Sequence, residues 1–234
     1  MIVMPANATG WFWHCLARET GKIGHLYGPG AQRGPWPWFP FGLDNGAYSC
    51  WDPILNLFDA TKWAGIEPVW RQLVRWAAPT GFARWGIVPD VPGDSEATFA
   101  RWYKYASEVR AAGIPTALAV QDGMTAIDVR RMRGEGPAVI CVGGTTEWKW
   151  STVEHWRSNF ERVHVLRCNS PEKLELLESL GIESCDGTGW NRGDQKQTSG
   201  LEAWARQNPE PITSPLSPFV CRTGRQGTRS LFAH

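Results

Sequence analysis

The chain has 234 residues, of which 42% are hydrophobic and 20% are charged, and its formal net charge is +1. This composition excludes an intrinsically disordered chain, and the small net charge excludes binding to nucleic acid through the overall charge of the protein. No apolar run approaches the roughly 20 residues of a membrane span, and the first residues lack the basic and apolar segments of a signal peptide. Because the six cysteines are scattered without a CxxC pair, we expect a cytoplasmic protein, in the host cytoplasm if a phage encodes it.

Short apolar runs that end in Asp, Gly, Gln or Asn recur along the chain and predict buried parallel strands. They occupy residues 2–4, 41–46, 85–94, 115–123, 138–144, 162–170 and 182–189. Helical segments follow most of them, which is the alternation typical of a parallel sheet buried on both faces. We therefore predict one α/β domain over residues 1–210, with a TIM-barrel-like (β/α)8 barrel that is irregular or incomplete. A doubly wound open sheet is the alternative.

Helix start and stop signals separate these runs. Asp94 or Ser95 is predicted to begin a helix that Gly113 ends, and Thr125 with Asp128 resembles a capping box. Two prolines mark further helix starts, one at residue 171 and one at residues 67–68.

Polar residues and glycines stand at the carboxyl ends of the predicted strands, where α/β folds bind their ligands. They are Asp44, Asp90, Gln121, Gly143, Gly144, Asn169 and Asp186. Carboxylates accept hydrogen bonds from N–H donors, glutamine both donates and accepts, and glycines let backbone amides approach a ligand closely. Together they predict a pocket for a polar, planar ligand. Taken singly, residues 44–46 and 186–189 are equally compatible with plain turns, and Asp90 with a residue that only shapes a loop.

Motifs for several other chemistries are missing from the sequence. Residues 28–34 fail the GxGxxG pattern because Arg33 occupies the place of the third glycine, and there is no GxxxxGK[ST] loop. There is no GxSxG nucleophile elbow, and the five histidines have no spacing typical of a metal site. His164, within an apolar run, is interpreted as a core residue.

Five short motifs, taken in order, resemble the tRNA-guanine transglycosylase superfamily. They are DNGAY (44–48), VPDVPGD (88–94), VQDG (120–123), VGG (142–144) and GIESCDGTG (181–189). That family has a DSGGF/Y motif, an aspartate after the next strand, VQGG, a glycine pair and a late G-[IV]-D-x-x-D. The resemblance covers about residues 41–190 and is closest to the small phage and bacterial DpdA-type enzymes, which place 7-deazaguanines in DNA.

The departures from the family pattern favour DNA over tRNA as the substrate. Family members that act on tRNA carry a CxCxxC…H zinc site near the C-terminus, whereas here only Cys221 follows Asp186. Asn45 and Ala47 replace the serine and second glycine of the family motif, and Thr145 follows the glycine pair.

The resemblance implies two catalytic carboxylates. Exchanging a base on the same sugar face requires two displacements at C1′ through a covalent intermediate, with a carboxylate as nucleophile, as in retaining glycosidases. By resemblance the nucleophile is Asp186. A second carboxylate, Asp44 by resemblance, handles the proton of the leaving and entering bases.

The resemblance also implies how the base is held. Asp90 is expected to accept from N1–H and the exocyclic amine of guanine, whereas Gln121 and the Gly144 amide address its O6 edge. Tyr48 is expected to stack on the ring. The predicted substrate-binding set is Asp90, Gln121, Gly143, Gly144, Tyr48, Arg167 and Asn169.

The sequence therefore predicts a DNA-guanine transglycosylase that exchanges guanine for a 7-deazaguanine such as preQ0. Its expected partners are DNA and the free base, with no cofactor, no metal and no membrane, and a homodimer is left open. The alternatives are a short tRNA-guanine transglycosylase and a non-catalytic barrel that binds nucleobases or nucleic acid. DNA is expected to contact local basic patches in residues 130–133 and in an extended, arginine-containing tail over residues 211–234.

Overall fold

The computed structural model describes residues 1–6, 10–29, 40–191 and 195–212, and within these ranges it contains ten strands. The strands are β1 (Ile2–Pro5), β2 (His25–Tyr27), β3 (Phe41–Leu43), β4 (Trp51–Asp52), β5 (Leu57–Phe58), β6 (Ala83–Ile87), β7 (Thr116–Val120), β8 (Val139–Val142), β9 (Val163–Val165) and β10 (Ser184–Gly187). β4 and β5 form a small antiparallel hairpin, and the other eight belong to one parallel sheet.

Helices connect most of the strands of this sheet. The α-helices in the described ranges are α1 (Trp11–Thr20), α2 (Ala60–Ala77), α3 (Ser95–Ala111), α4 (Ala126–Arg130), α5 (Thr146–Asn159), α6 (Pro171–Ser179) and α7 (Gln195–Ala205). Short 3-10 helices occupy Ala47–Cys50, Ala78–Thr80 and Gly189–Asn191. None of the helices in the described residues has both the length and the apolar composition needed to cross a bilayer.

The parallel sheet closes into a barrel. Its strand order is β1-β10-β9-β8-β7-β6-β3-β2, and parallel bridges join Val3 to Ile23 and Ala6 to Leu26, so the two edge strands meet. The predicted (β/α)8 barrel is thus confirmed, and the open-sheet alternative is wrong. All seven predicted strands are present, and the eighth strand is β2, second in the chain, which the sequence analysis missed.

Side chains from alternate strand positions fill the barrel interior. Trp85 of β6 is fully buried there, packed with the small side chains of Ala117 and Ala119 on β7. Its indole lies over Gly42 of β3, where an added Cβ atom would come within 2.4 Å of the ring. The imidazole of His164 on β9 also lies in the interior, with its ring centroid 4.4 Å from that of Trp85. The opposite faces of the strands pack against the helices in a larger apolar core.

The helix signals are largely confirmed. The Asp94 side chain caps α3 by accepting from the N–H of Ala97 at 2.9 Å. Thr125 and Asp128 form a reciprocal capping box at α4. Helix α6 begins at Pro171, as expected for a proline at the first helical position.

The predicted start of α2 at residues 67–68 is wrong, because the helix begins at Ala60. Asp59 caps it by accepting from the backbone N–H groups of Thr61 at 2.9 Å and Lys62 at 3.0 Å. Pro68 lies inside the helix, where it interrupts the backbone ladder without ending the helix.

An ion-pair network links residues at the amino-terminal ends of three barrel strands. The Glu183 carboxylate accepts from Arg162 at 2.7 and 2.8 Å and from Arg84 at 2.8 and 3.2 Å. Burial alone would raise the pKa of Glu183, but the hydrogen bonds from Arg162 and Arg84 hold it below its usual value. The carboxyl-terminal ends of the strands lie at the opposite side of the barrel.

The described chain ends by packing on α1. The backbone N–H groups of Glu210 and Ile212 donate to the carbonyl oxygens of Thr20 and Arg18, each at 2.9 Å. Residues 213–234, which contain the rest of the predicted tail and its three arginines, lie outside the described residues.

Candidate active site

Three carboxylates lie at the carboxyl-terminal mouth of the barrel. Asp44 follows β3, Asp90 lies in the loop after β6, and Asp186 belongs to β10. The pKa of Asp44 is raised from 3.8 to about 6, first by burial, then by the negative charge of Asp186, with a further contribution from Asp90. Backbone hydrogen bonds from Gly46 and Asn45 oppose this rise. The side chain of Asp44 retains some accessible surface although protein surrounds it. A proton acceptor that titrates near neutral pH therefore lies in the mouth.

Asp186 is buried and held through one of its two carboxylate oxygens. It is 5% exposed, and its Oδ1 accepts from His164 Nε2 and from the backbone N–H of Arg167, both at 3.1 Å. Its Oδ2 accepts no hydrogen bond from any described residue. One oxygen is thus fixed by two donors, and the other remains available for chemistry.

His164 was missed as a site residue, and it connects Asp186 to Ser184. The imidazole is fully buried, with Nδ1 2.8 Å from Ser184 Oγ and Nε2 3.1 Å from Asp186 Oδ1. The strand register places His164 beside Ser184, so the residues of β9 and β10 that face the interior meet there. The interpretation of His164 as a buried core residue describes its exposure but not its partners.

Asp90 is held by the amide of Asn45. Asn45 Nδ2 donates to Asp90 Oδ1 at 2.9 Å and to the Val88 carbonyl at 3.1 Å, and its Oδ1 accepts from the N–H of Ala47 at 2.7 Å. Burial raises the pKa of Asp90, although the hydrogen bond from Asn45 counteracts part of the effect. The guanidinium of Arg101 also donates to the Asp90 carbonyl, at 3.3 Å. Asn45, which departs from the family motif, thus orients one of the predicted base-binding carboxylates.

The Gln121 amide is engaged within the protein. Its Nε2 donates to the Val91 carbonyl and to Thr98 Oγ1, both at 2.9 Å, and its Oε1 accepts from the N–H of Gly93 at 2.5 Å. These bonds brace the loop that carries Asp90. Direct recognition of a base by Gln121 stays a prediction, and donation to a base oxygen would require one of the two Nε2 bonds to break.

The glycine pair lies at the end of β8. Gly144 has φ of +71°, and an added Cβ atom would come within 2.3 Å of the Asp122 carboxylate and 2.8 Å of the Trp148 ring. Asp122 accepts from the N–H and the hydroxyl of Thr145, each at 2.7 Å, which fixes this turn. The N–H of Gly143 donates to a backbone carbonyl of β7 at 2.8 Å, whereas the N–H of Gly144 donates to no described residue. Of the two amides, that of Gly144 is thus available for a ligand.

Arg167 joins several of the predicted residues. Its backbone N–H donates to Asp186, its guanidinium donates to the carbonyl of Gly144, and the same guanidinium lies 4.9 Å from the ring centroid of Tyr48. Tyr48 is 52% exposed, so one face of the mouth has an accessible aromatic ring beside a cation. The buried Lys149 donates to the carbonyls of residues 166 and 167 at 2.8 and 3.1 Å and so holds this loop in place.

Asn169 supports the loop after Asp186. Its Oδ1 accepts from the N–H of Gly189 at 2.8 Å, and a Cβ atom at Gly187 would come within 2.2 Å of the same oxygen. Asn169 is thereby engaged with the protein, and its predicted contact with substrate stays a prediction.

The predicted basic patch of residues 130–133 lies at the other end of the barrel. Arg130 donates to Asn159 Oδ1 at 2.8 Å, and Asn159 is the last residue of α5, far from the carboxyl-terminal mouth. A groove of about 630 Å³, lined by residues that include Arg110, Pro115 and Glu135, also lies at this end and contains none of the strand-end carboxylates. Within the described residues, no three His, Cys, Asp or Glu side chains form a group that could bind a metal ion.

Solved structures similar to this chain include tryptophan synthase from Pyrococcus furiosus. A mutant α-subunit has a TM-score of 0.53 at 11% identity, and the match covers 88% of this chain and 97% of that chain. A chain of the α2β2 complex has a TM-score of 0.51 at 11% identity, with 89% and 96% covered. No protein-family model and no curated protein matches the sequence. At this identity the likeness shows the barrel fold alone.

Proposed function

We propose that the protein is a DNA-guanine transglycosylase whose reaction takes place at the carboxyl-terminal mouth of the barrel. The observation that carries the proposal is the pair formed by Asp186 and Asp44. Both carboxylates accept two hydrogen bonds, but those to Asp186 meet at one oxygen, whereas burial and the charge of Asp186 raise the pKa of Asp44 to about 6 despite its backbone hydrogen bonds. Two carboxyl groups in such different environments are typical of a nucleophile paired with an acid–base group.

In the first half-reaction, Asp186 Oδ2 attacks C1′ of the target deoxyguanosine. The C1′–N9 bond breaks, its electron pair leaves with the guanine, and a C1′–O bond to the carboxylate forms. The hydrogen bonds to Oδ1 keep the attacking oxygen in one orientation, which lowers the entropic cost of reaching the transition state. The target nucleotide must be extruded from the duplex, because stacking and pairing otherwise block C1′ and the base edge.

Asp44 transfers the proton in both halves of the reaction. In its protonated form it donates to the departing guanine, and as a carboxylate it accepts the N9 proton of the entering 7-deazaguanine. The entering N9 then attacks C1′, and the bond to Asp186 breaks, so the configuration at C1′ is retained. A pKa near 6 suits both tasks at neutral pH, because neither protonation state is rare.

Base recognition is assigned to groups at the mouth that can make further hydrogen bonds or stack on a base. Asp90, oriented by Asn45, accepts from N1–H and the exocyclic amine, and the Gly144 N–H donates to O6. Tyr48 and Arg167 provide a stacking surface beside the mouth. The assignment of guanine and DNA rests on the five ordered motifs, and the site geometry supports the two-carboxylate chemistry.

A base-exchange assay tests the proposal. The protein is incubated with guanine-containing DNA and free preQ0, and the nucleosides are then analysed by mass spectrometry. Wild type should convert deoxyguanosine to the 7-deazaguanine nucleoside. Asp186→Asn should bind DNA but exchange nothing, and Asp44→Asn should be slower by roughly 10²–10⁴-fold.

Parallel arms of the assay separate the alternatives. Exchange in tRNA but not in DNA would assign the protein to the tRNA enzymes. Binding of DNA or base without exchange in either nucleic acid would assign it to the non-catalytic alternative. Full activity of both Asp variants would contradict the assigned mechanism.

A further inference from the structure

We propose that Ser184 and His164 form a buried hydrogen-bond relay that orients Asp186, so that His164 is a positioning residue for the nucleophile. The inference rests on the proposed function for its kinetic test, whereas its structural test does not depend on that function. Neither residue belongs to the site residues predicted from the sequence, and both are fully buried.

The relay is built from three neighbouring positions in the barrel interior. Ser184 and Asp186 lie two residues apart on β10 and therefore face the same side, and His164 on β9 is paired in register with Ser184. The imidazole spans the two, with Ser184 Oγ at 2.8 Å and Asp186 Oδ1 at 3.1 Å. Ser184 and His164 are both fully buried, so water does not compete for these bonds.

The chemistry of the partners sets the proton position on the ring. A carboxylate nucleophile is ionised and only accepts hydrogen bonds, so His164 Nε2 must carry the proton. We assign the Ser184 hydroxyl as the donor to Nδ1, so that the ring carries a proton on Nε2 alone. Ser184 thus selects the Nε2–H tautomer, and this tautomer donates to Asp186.

Two further contacts restrain the side chains of His164 and Asp186. The His164 ring lies against the indole of Trp85, 4.4 Å away between centroids, which limits rotation about its side-chain bonds. The N–H of Arg167 provides the second donor to the same carboxylate oxygen, at 3.1 Å. Because both donors meet Oδ1, Oδ2 keeps one direction relative to the mouth. A role in packing alone would need neither polar partner.

Two substitutions at one position separate positioning from packing. His164→Leu fills the interior but donates no hydrogen bond, whereas His164→Gln keeps an amide N–H near the place of Nε2. We expect His164→Leu to slow single-turnover adduct formation with DNA by roughly 10- to 100-fold, with DNA binding unchanged. His164→Gln should recover most of that rate. Equal rates for Leu and wild type, or equal losses for Leu and Gln, would overturn the proposal.

Nitrogen NMR of the side chains gives a readout that works even if no substitution folds or no substrate reacts. His164, assigned by comparison with the Gln variant or by its cross-strand contacts, should carry its proton on Nε2 and not on Nδ1 in wild type. Ser184→Ala should weaken that preference. An Nδ1–H tautomer in wild type would refute the relay, whatever reaction the protein catalyses. Absence of any base exchange together with the Nε2–H tautomer would instead refute only the proposed function.

Discussion

The raised pKa of Asp44 predicts that this residue destabilises the folded protein at neutral pH. The difference between 3.8 and about 6 corresponds to roughly 3 kcal/mol, at about 1.4 kcal/mol for each tenfold change in proton affinity. The folded state holds the proton more tightly than the unfolded chain. Its favourable contribution is therefore complete below about pH 4 and is lost as the pH rises through about 6.

Urea unfolding of wild type and Asp44→Asn measures this contribution. Comparing the two proteins at about pH 4.5 and about pH 8 cancels the effects of the substitution that do not depend on pH. The advantage of the Asn variant should grow by roughly 2 kcal/mol between these conditions, since part of the total is already lost at the lower pH. A difference between the proteins that stays constant with pH would show that folding does not raise the pKa of Asp44.

A direct titration separates the two main causes of the shift. Carbon-detected NMR of the Asp44 carboxyl, assigned by its loss in the Asn variant, should give a midpoint near 6 in wild type. In Asp186→Asn the midpoint should fall, because the second-largest cause is removed, but it should stay above 3.8 because burial persists. An unchanged midpoint would mean that the two carboxylates do not interact.

Three further predictions concern the barrel and its mouth. Gly42→Ala should destabilise the fold by about 1–3 kcal/mol in urea unfolding, because the new Cβ atom meets the Trp85 ring. Gly65→Ala, in open space on a helix, is the control and should stabilise the fold by about 0.5–1 kcal/mol. Equal effects of the two substitutions would contradict the contact between Gly42 and Trp85. Glu183→Gln should lower the free energy of unfolding by roughly 1–3 kcal/mol at neutral pH. This loss should shrink in acid, because the wild-type carboxylate becomes protonated as the pH falls through its lowered pKa. A loss that does not depend on pH would argue against the ion pairs. Arg167→Gly should change stability by less than about 1 kcal/mol, because the backbone there has φ of +55°, which glycine adopts without strain. The same substitution should weaken DNA binding in a fluorescence titration. Unchanged affinity would exclude the guanidinium from the DNA contact.

Much of the barrel could be predicted because short apolar runs alternate with capped helices. β2 could not, because its strand conformation depends on parallel pairing with β3 and on bridges to residues of β1 and its end. Its neighbours in the barrel, rather than its own sequence pattern, make it a strand. The start of α2 was misplaced because proline at residue 68 resembles a first-turn residue, whereas the true cap is Asp59.

The carboxylates of the mouth could be predicted from one rule, that ligands bind at the carboxyl ends of parallel strands. Asp44, Asp90 and Asp186 could be found in this way because each ends or follows an apolar run. The partners that orient them could not, because they depend on pairing between strands. His164 meets Asp186 only through the register of β9 and β10, and Asn45 meets Asp90 only because β3 lies beside β6.

Peptide mapping of a trapped adduct tests directly whether Asp186 is the nucleophile. Wild-type protein is mixed with guanine-containing single-stranded DNA, quenched in denaturant, digested and analysed by mass spectrometry. We expect a deoxyribosyl ester on Asp186, formed with release of free guanine and absent from Asp186→Asn. An adduct on another residue, or guanine release without any adduct, would contradict this role of Asp186.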